Sequence, residues 1–228
     1  MATDHSSTYK FTEIRNISHI LRLRKIFKIL VGEFGKSKIG RFGDFGCSNG
    51  FITSQIAERF NVVKAFGFDW SDNIEIAQQK HSNIEFKKLN LNEATDNSEI
   101  FDLVTCFETL EHVGNIDNAL NVILASRSDT GVVLISVPIE IGFVGVVKYF
   151  LKRYLYRYEL PLSCSDSRYL RALISGEYIG QFRPKAEGYG THFGFDYRNV
   201  DKLLAEKKVS FKSFNSFSTR FYIIDKIV

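Results

Sequence analysis

Paired cysteines, long apolar runs, a strong charge of either sign and a dinucleotide fingerprint are all missing from this sequence, and each absence closes off a class of protein. The three cysteines, Cys47, Cys106 and Cys164, form an odd set without a CxxC pair. They offer no disulfide framework and no zinc-ligand spacing, and they suit a reducing compartment. The longest apolar stretch, 139–147, contains Glu140 and two glycines and falls far short of the ~20 residues that span a bilayer. Residues 1–16 show no apolar signal-peptide core, so a cytoplasmic location is expected. Lys and Arg exceed Asp and Glu by only four, too little to mark a nucleic-acid binder by itself. The motif GxGxxG does not occur.

What is present is a globular composition. Hydrophobic residues make up 44% and charged residues 25% of 228, enough for one or two domains with a sizeable core and unlike collagen, a coiled coil or a disordered tail. The small positive surplus is unevenly placed: residues 1–38 hold eight Lys or Arg against three acids, and 139–190 eight against five. Between 40 and 138, short apolar runs alternate with helix-period segments, which predicts helices wound about a parallel sheet. Strands are expected at 41–45, 62–68, 84–89, 101–107 and 131–137, and helices at 51–60, 73–80 and 116–126. Upstream, Ile20, Leu23, Phe27 and Leu30 recur at helical spacing while Arg22, Lys25 and Lys28 lie off that face, predicting an amphipathic helix with a solvated basic side. Residues 139–190 differ in character, since seven of the ten tyrosines fall there and all three prolines lie within or at its border. A helix at 196–206 and strands at 209–214 and 220–224 follow. The chain thus divides into an N-terminal helical segment (1–38), a wound core (39–138), a lid-like α-rich insertion (139–190) and a C-terminal completion of the same sheet (191–228). The fold class is α/β, with a seven-stranded doubly wound sheet.

Ligands bind wound sheets outside the carboxyl ends of the strands. The first strand runs into Gly46-Cys47-Ser48-Asn49-Gly50 and straight on into a helix, and a glycine turn there lets backbone amides approach a ligand closely. A pyrophosphate at the helix start calls for GxGxxG. GxxxG with Asp44 two residues upstream suits instead a ligand bearing an ammonium group, although a simple tight turn accounts for the glycines equally. Asp69 ends the second strand, in GFDWS, where a carboxylate can accept two hydrogen bonds from a ribose; its alternative is to cap the next helix, a role open to Ser71 as well. Asn90 ends the third strand, and its amide can read an adenine edge or merely serve the turn.

In this order the motifs resemble those of the class I S-adenosylmethionine-dependent methyltransferases, closely over 41–138 and by topology beyond. The family's D-x-G-C-G-x-G reads Asp44-Phe45-Gly46-Cys47-Ser48-Asn49-Gly50 here. Ser48 replaces the middle glycine and adds a hydroxymethyl group where the cofactor's methionine part should pass. The resemblance implies a Rossmann-like fold and S-adenosyl-L-methionine as cofactor, bound by Asp44, Gly46, Cys47, Ser48 and Gly50. It also implies Asp69 on the ribose with Trp70 beside the adenine, Asn90 and Leu91 at the adenine, and Phe107 beside the reactive methyl.

The fourth-strand segment FDLVTCFETLEHV is similar to that of the ubiquinone-biosynthesis O-methyltransferases and their general relatives. Glu108, Glu111 and His112 share one face if the turn is helical, and two carboxylates with an imidazole could hold a divalent metal. E-x-x-E-H also resembles the metal-binding motif of small-RNA 2′-O-methyltransferases, which implies His192 as a further ligand. Without an ion, His112, Glu111 and His192 are the candidate catalytic residues, because methyl transfer to a hydroxyl needs proximity and a base and imidazoles titrate in a suitable range. The alternatives are a hydrogen-bonded structural histidine and a glutamate that only charges a helix start.

In the insertion, Phe143, Val147, Phe150, Leu151 and Tyr154 recur at helical spacing, with Lys148, Lys152 and Arg153 elsewhere. Such a helix packs on a core or lies in an anionic membrane interface. The expectation is a lid over the site, hinged at Gly142 or Gly145 and at Gly188 or Gly190, with peripheral membrane contact as the alternative. Tyr169, Arg171, Tyr178, Arg183 and Tyr189 could stack on sugar rings or pair with phosphates. The expected reaction is O-methylation of a small polar or anionic acceptor, such as a glycan or its precursor. RNA methylation, S-adenosylmethionine binding without turnover, and nicotinamide redox chemistry are the competing classes, the last opposed by the missing GxGxxG.

Overall fold

Phenylalanines at alternate strand positions build a core on each side of one sheet. The computed structural model describes residues 16–35, 37–93, 99–155, 157, 163–183 and 192–227. Helix α1 (Ile17–Phe34) precedes β1 (Arg41–Phe45), α2 (Phe51–Arg59), β2 (Lys64–Asp69), α3 (Asn73–Lys80), β3 (Glu85–Lys88), β4 (Phe101–Phe107), α4 (Ile116–Ala125) and β5 (Arg127–Pro138). The insertion contributes α5 (Gly142–Phe150) and α6 (Asp166–Ser175), and α7 (Arg198–Glu206), β6 (Val209–Ser216) and β7 (Thr219–Ile227) close the chain. The seven strands lie in the order β3-β2-β1-β4-β5-β7-β6. β1 to β5 are parallel, and β7 runs antiparallel between β5 and β6. This is the expected doubly wound α/β sheet, and it brings the ends of β1, β2 and β4 to one edge.

Because side chains alternate across a strand, Phe42 joins α1, α2 and α3 on one face while Phe45 joins α4 and α7 on the other. Phe45 stacks on Phe68 at 4.8 Å, and Phe101 meets both edge-on. The Phe101 ring lies where a Cβ on Gly43 would be, 2.6 Å away, so the middle of β1 is bare to let β4 pack.

Three expectations are corrected. In α1 the buried side is Arg22, Ile26, Ile29 and Leu30, so Arg22 is not part of a solvated basic face; a carboxylate of the core, described below, draws it inward. β5 starts at Arg127 rather than 131, because the pairing jumps from Phe101–Arg127 to Leu103–Val132 across an irregularity that reads as a turn in sequence. In α5, the apolar stripe chosen to face the core is exposed instead: Phe143 is 83% and Tyr154 66% accessible. The inward side is Gly145 and Tyr149, joined by the partly buried Lys148 and Lys152, both paired with buried Glu140 at 2.9 and 3.2 Å.

The insertion has a small core of its own, built from Tyr149, Tyr169, Leu173, Ile179, Phe182 and Phe193. Tyr169 is therefore a core residue rather than a sugar platform; it is 2% exposed, and its hydroxyl accepts from the Gly194 N–H. Gly145 is a packing glycine, since a Cβ there would lie 2.3 Å from the Glu140 carbonyl oxygen, whereas Gly142 has φ 62° and open space around it. Gly188, Tyr189 and Gly190 lie outside the described residues. Arg198 fastens the insertion to α7 by donating to the carbonyls of Gly176 and Glu177 and to Asp196.

Candidate active site

The chain leaves β1 at Gly46 with φ 82° and enters α2 through Gly50 with φ 75°. The N–H groups of Gly46 and Cys47 both donate to the Phe68 carbonyl, at 2.7 and 3.1 Å, which ties the turn to β2. A Cβ on Gly46 would sit 2.1 Å from Thr109 Oγ1, and one on Gly50 would sit 2.6 Å from the Phe86 ring. Both glycines are thus required by backbone conformation and by close approach. Ser48 occupies the left-handed region as well, at φ 49°, which is why a glycine suits this position. The cost, about 1–2 kcal/mol for a side chain, is offset by two anchors. Ser48 N–H donates to Asp69 Oδ2 at 2.7 Å, and Asn73 Nδ2 donates to the Ser48 hydroxyl at 3.0 Å.

Asp69 does not cap α3, whose N-cap is Asp72; its carboxylate braces the turns on either side of it, through Ser48 and Ser71. It stands at the end of β2, and its Oδ1 accepts from the N–H and the hydroxyl of Ser71 at 2.8 and 2.7 Å. Beside it the Trp70 ring is 44% exposed. After β3, Leu91 is buried, and Asn90 is engaged with Asn92 and Glu93. Asn92 Oδ1 in turn accepts from the N–H groups of Gly114 and Asn115, joining this turn to the one after β4. Cys47 and Phe107 are buried, and desolvation pushes the Cys47 thiol well up.

Asp44 faces inward, only 2% exposed. Its two oxygens accept from the hydroxyls of Thr105 and Thr53, each at 2.6 Å. Burial pushes its pKa up to about 6 in spite of those hydroxyls. Asp44 therefore anchors β4 and α2 to the turn and places a buried charge beneath it, rather than presenting an open carboxylate to an ammonium group.

Past β4 the backbone turns sharply at Glu108, with φ 49°. Glu108 is drawn away from the other acids: Oε2 pairs with Arg22 at 2.9 Å, and Oε1 accepts from Ser136 at 3.2 Å. Thr109 packs on Gly46, and a single 3-10 turn, Leu110–His112, follows. That turn points Glu111 inward, with no exposed surface, and leaves His112 partly open. From the far side of the insertion the chain brings His192 back. Gly194 makes this possible, because at φ 74° a Cβ there would lie 2.8 Å from the Arg183 backbone. The rings of His112 and His192 meet edge to face at 4.4 Å, and His192 Nδ1 lies 3.9 Å from Glu111 Oε1.

Electrostatics favour the uncharged forms of Glu111 and His192. Burial, reinforced by the charge of Glu108, pushes the Glu111 carboxyl well above its ordinary range. Burial and the His112 ring pull His192 down to about 3, against the opposing pull of Glu140. Among the described residues, neither Glu111 oxygen has a hydrogen-bond partner. One ligand atom from each of Glu111, His112 and His192 lies within 4.8 Å of the others. The set read from sequence therefore contracts from four to three, with Glu108 held apart by Arg22.

Several residues that shape the site carried no motif. Thr105 is the polar residue in the apolar middle of β4, between Val104 and Cys106, and lies opposite Asp44 in register, so a buried hydroxyl needing a partner was its signal. Arg22 had none, and Arg183 was read only as a candidate partner for a sugar or phosphate, not as a support of Glu111. Arg183 lies 5.7 Å from the Phe195 ring and donates to the Glu111 backbone carbonyl, and burial pulls its pKa down.

Comparison with known proteins agrees with this geometry. A family described as a methyltransferase domain matches residues 20–169. A ubiquinone biosynthesis O-methyltransferase of Haemophilus ducreyi is 28% identical over 171 residues, covering 71% of this chain and 58% of that protein; the chain spans about half to three-fifths of the length of the curated relatives it matches. Among solved structures, an S-adenosylmethionine-dependent methyltransferase from Clostridium acetobutylicum superposes with TM-score 0.64 at 10% identity, covering 97% of each chain. Magnesium protoporphyrin IX methyltransferase from Synechocystis, solved with bound S-adenosylhomocysteine, gives 0.62 at 13% identity over 96% of this chain and 91% of that one. With the family matching two-thirds of its length and the glycine turn and strand-end acid in place, the chain belongs to the class I S-adenosylmethionine-dependent methyltransferases.

Proposed function

We propose that this chain methylates a hydroxyl oxygen of a small polar acceptor bound over Glu111, His112 and His192, with S-adenosylmethionine held at the 46–50 turn and Asp69. The observation that carries this reading is the packing of Thr109 on Gly46, which sets the donor turn three residues from the imidazole pair. In the transfer, the S–CH3 bond breaks as the C–O bond forms, the sulfonium becomes a neutral thioether, and the hydroxyl proton passes to His112. Positive charge thus moves from sulfur to imidazole, and the uncharged Glu111 and His192 add no fixed charge beside it. His192, kept neutral, offers a ring nitrogen to the hydroxyl. The name of the curated relatives favours oxygen as the methylated atom. A pocket of ≈ 360 Å³ next to Arg183, lined also by Asp117, Tyr178 and Asn199, favours a polar acceptor such as a glycan or its precursor.

Replacing His112 with alanine should lower kcat by about 10²–10⁴-fold, the range of a lost general base, while calorimetric affinity for S-adenosylhomocysteine moves less than about threefold. Unreduced turnover would overturn the assignment.

A divalent ion is the second reading, favoured by the buried, unpartnered Glu111 oxygens facing two imidazoles. Glu111, His112 and His192 would hold it, a donor set that suits Zn²⁺ or Mn²⁺, and it would lower the pKa of the acceptor hydroxyl. Activity that collapses in excess chelator and returns with added Mg²⁺, Mn²⁺ or Zn²⁺ supports this reading, and full activity in chelator rejects it.

A further inference from the structure

Helix α5 packs Tyr149 into the core of the insertion and leaves a second apolar stripe bare. In a helix that lies on a protein core, the apolar stripe is buried and the cations reach solvent. In α5 and the π turn that follows it, Leu151–Leu155, Gly145 and Tyr149 are buried as that rule asks, but two lysines turn inward beside them and a second apolar stripe reaches solvent. Lys148 and Lys152 are only 22% and 21% exposed, because both bind Glu140, and Lys152 also lies 4.6 Å over the Phe193 ring. Phe143, Val147, Phe150, Leu151, Tyr154 and Leu155 are all exposed, between 41% and 83%. Phe150 and Tyr154 stack on one another at 5.7 Å, and the stripe lines an open apolar groove of ≈ 460 Å³. Ile174 of α6 is 71% exposed as well. A contiguous apolar surface of this kind marks a place of contact rather than ordinary surface scatter.

The charge around the stripe identifies what covers it. Residues 142–157 contain four cations, Lys148, Lys152, Arg153 and Arg157, and no acid. With the lysines spent on Glu140, Arg153 and Arg157 are the cations of this segment that reach solvent. Arg153 shares Asp166 in an exposed pair, and Arg157 is exposed, as is Arg171 of α6. An aromatic and aliphatic ridge with a basic margin matches an anionic lipid surface: the ridge enters the acyl boundary and the arginines stay at the headgroups. A second copy of the chain fits less well, since a self-complementary contact would set one basic margin against another, the exposed Asp166 being already taken up by Arg153. A bilayer also asks for no shape complementarity, which suits side chains as far out as Phe143.

We infer that the outward face of α5 and its π turn docks on an anionic membrane surface. The same segment holds Glu140, whose charge acts on His192, so docking fixes the orientation of the acceptor cluster relative to the bilayer. The inference does not depend on which acceptor is methylated or on the role given to His112.

The test is co-sedimentation of the full chain with vesicles of phosphatidylcholine alone and of phosphatidylcholine mixed with phosphatidylglycerol, at low and high salt. Binding is expected to the mixed vesicles, weakened by salt as the basic margin is screened. The double substitution Phe143→Asp and Leu155→Asp should weaken it at least tenfold, and Arg157→Glu with Arg171→Glu should remove the preference for anionic lipid. These side chains are exposed, and affinity for S-adenosylhomocysteine within about threefold of the parent protein confirms an intact fold in each variant. Failure to sediment with anionic vesicles overturns the inference, as does binding that the aspartates leave unchanged. Concentration-dependent self-association in sedimentation equilibrium, lost in the Phe143→Asp and Leu155→Asp variant and without vesicle binding, assigns the face to a second copy and overturns it too.

Discussion

The proposed donor turn and the proposed acceptor cluster lie side by side at one edge of the sheet, yet they are assembled by different means. Gly46, Ser48, Gly50 and Asp69 come from two adjacent parallel strands, and bonds such as those of Gly46 and Cys47 to the Phe68 carbonyl and of Ser48 to Asp69 hold them. The constraints are backbone constraints, written in residues that can adopt positive φ. Glu111, His112 and His192 come from segments eighty residues apart, brought together by packing around Gly194, Arg183 and the core of the insertion. A pair of glycine substitutions separates the two. Gly46→Ala places a methyl group 2.1 Å from Thr109 Oγ1 at φ 82°, and it should lower S-adenosylhomocysteine affinity at least a hundredfold, about 2.7 kcal/mol. Gly194→Ala meets the Arg183 backbone instead, and should lower kcat at least tenfold while cofactor affinity moves less than about threefold. If both variants lose cofactor binding alike, donor and acceptor sides are one cooperative unit and the distinction fails.

The same contrast governs how much could be read from sequence. The order of strands, the turn at Gly46 and the acid at Asp69 follow from local spacing, since strand period, glycine placement and strand ends are short-range features. Ser48 read as an intrusion because its compensation lies in Asn73, one helix further on. Arg22 read as solvated because its partner, Glu108, is in another element, and a buried ion pair leaves no mark on helical periodicity. The α5 stripe had the right spacing but the wrong side: periodicity shows that a helix has two faces, whereas Tyr149 in the core of the insertion and Glu140 against Lys148 and Lys152 hold the other one inward. His192 was identified through resemblance, while the glycine that delivers it was passed over as one of sixteen.

Beneath the donor turn, Asp44 offers a test through pH. Its carboxyl sits at about 6 in the folded protein against an ordinary 3.8, so the folded state holds its proton more tightly than the unfolded one. The contribution to stability is then fully present below about pH 3.8 and is lost as pH rises through 6, when the buried group ionises. Two units correspond to roughly 3 kcal/mol as an upper figure. Asp44→Asn has no such titration. Relative to this variant, the parent protein should lose stability by up to that amount between about pH 4 and pH 7 in denaturant melts. Parallel curves would show that Asp44 does not titrate in that window.

A smaller effect is expected at Asp69, where the donor side is most open to solvent. Its carboxylate already accepts three bonds, from Ser48 N–H and from the N–H and hydroxyl of Ser71, and a ribose would add to these on the same oxygens. Asp69→Ala removes the acceptor for the ribose and releases Ser48 from φ 49° at once, so affinity for S-adenosylhomocysteine should fall about tenfold or more, ~1.4 kcal/mol. Ser71→Ala removes one of the three bonds and no ribose contact, and should change affinity by less than about threefold. The acceptor KM at saturating cofactor should stay where it is in both variants, because Asp69 belongs to the strand-end framework and not to the cluster around His112. Calorimetry showing unchanged affinity in Asp69→Ala would remove this residue from the cofactor site. A raised acceptor KM in the same variant would mean that disorder in the 46–50 turn travels through Thr109 into the imidazole pair.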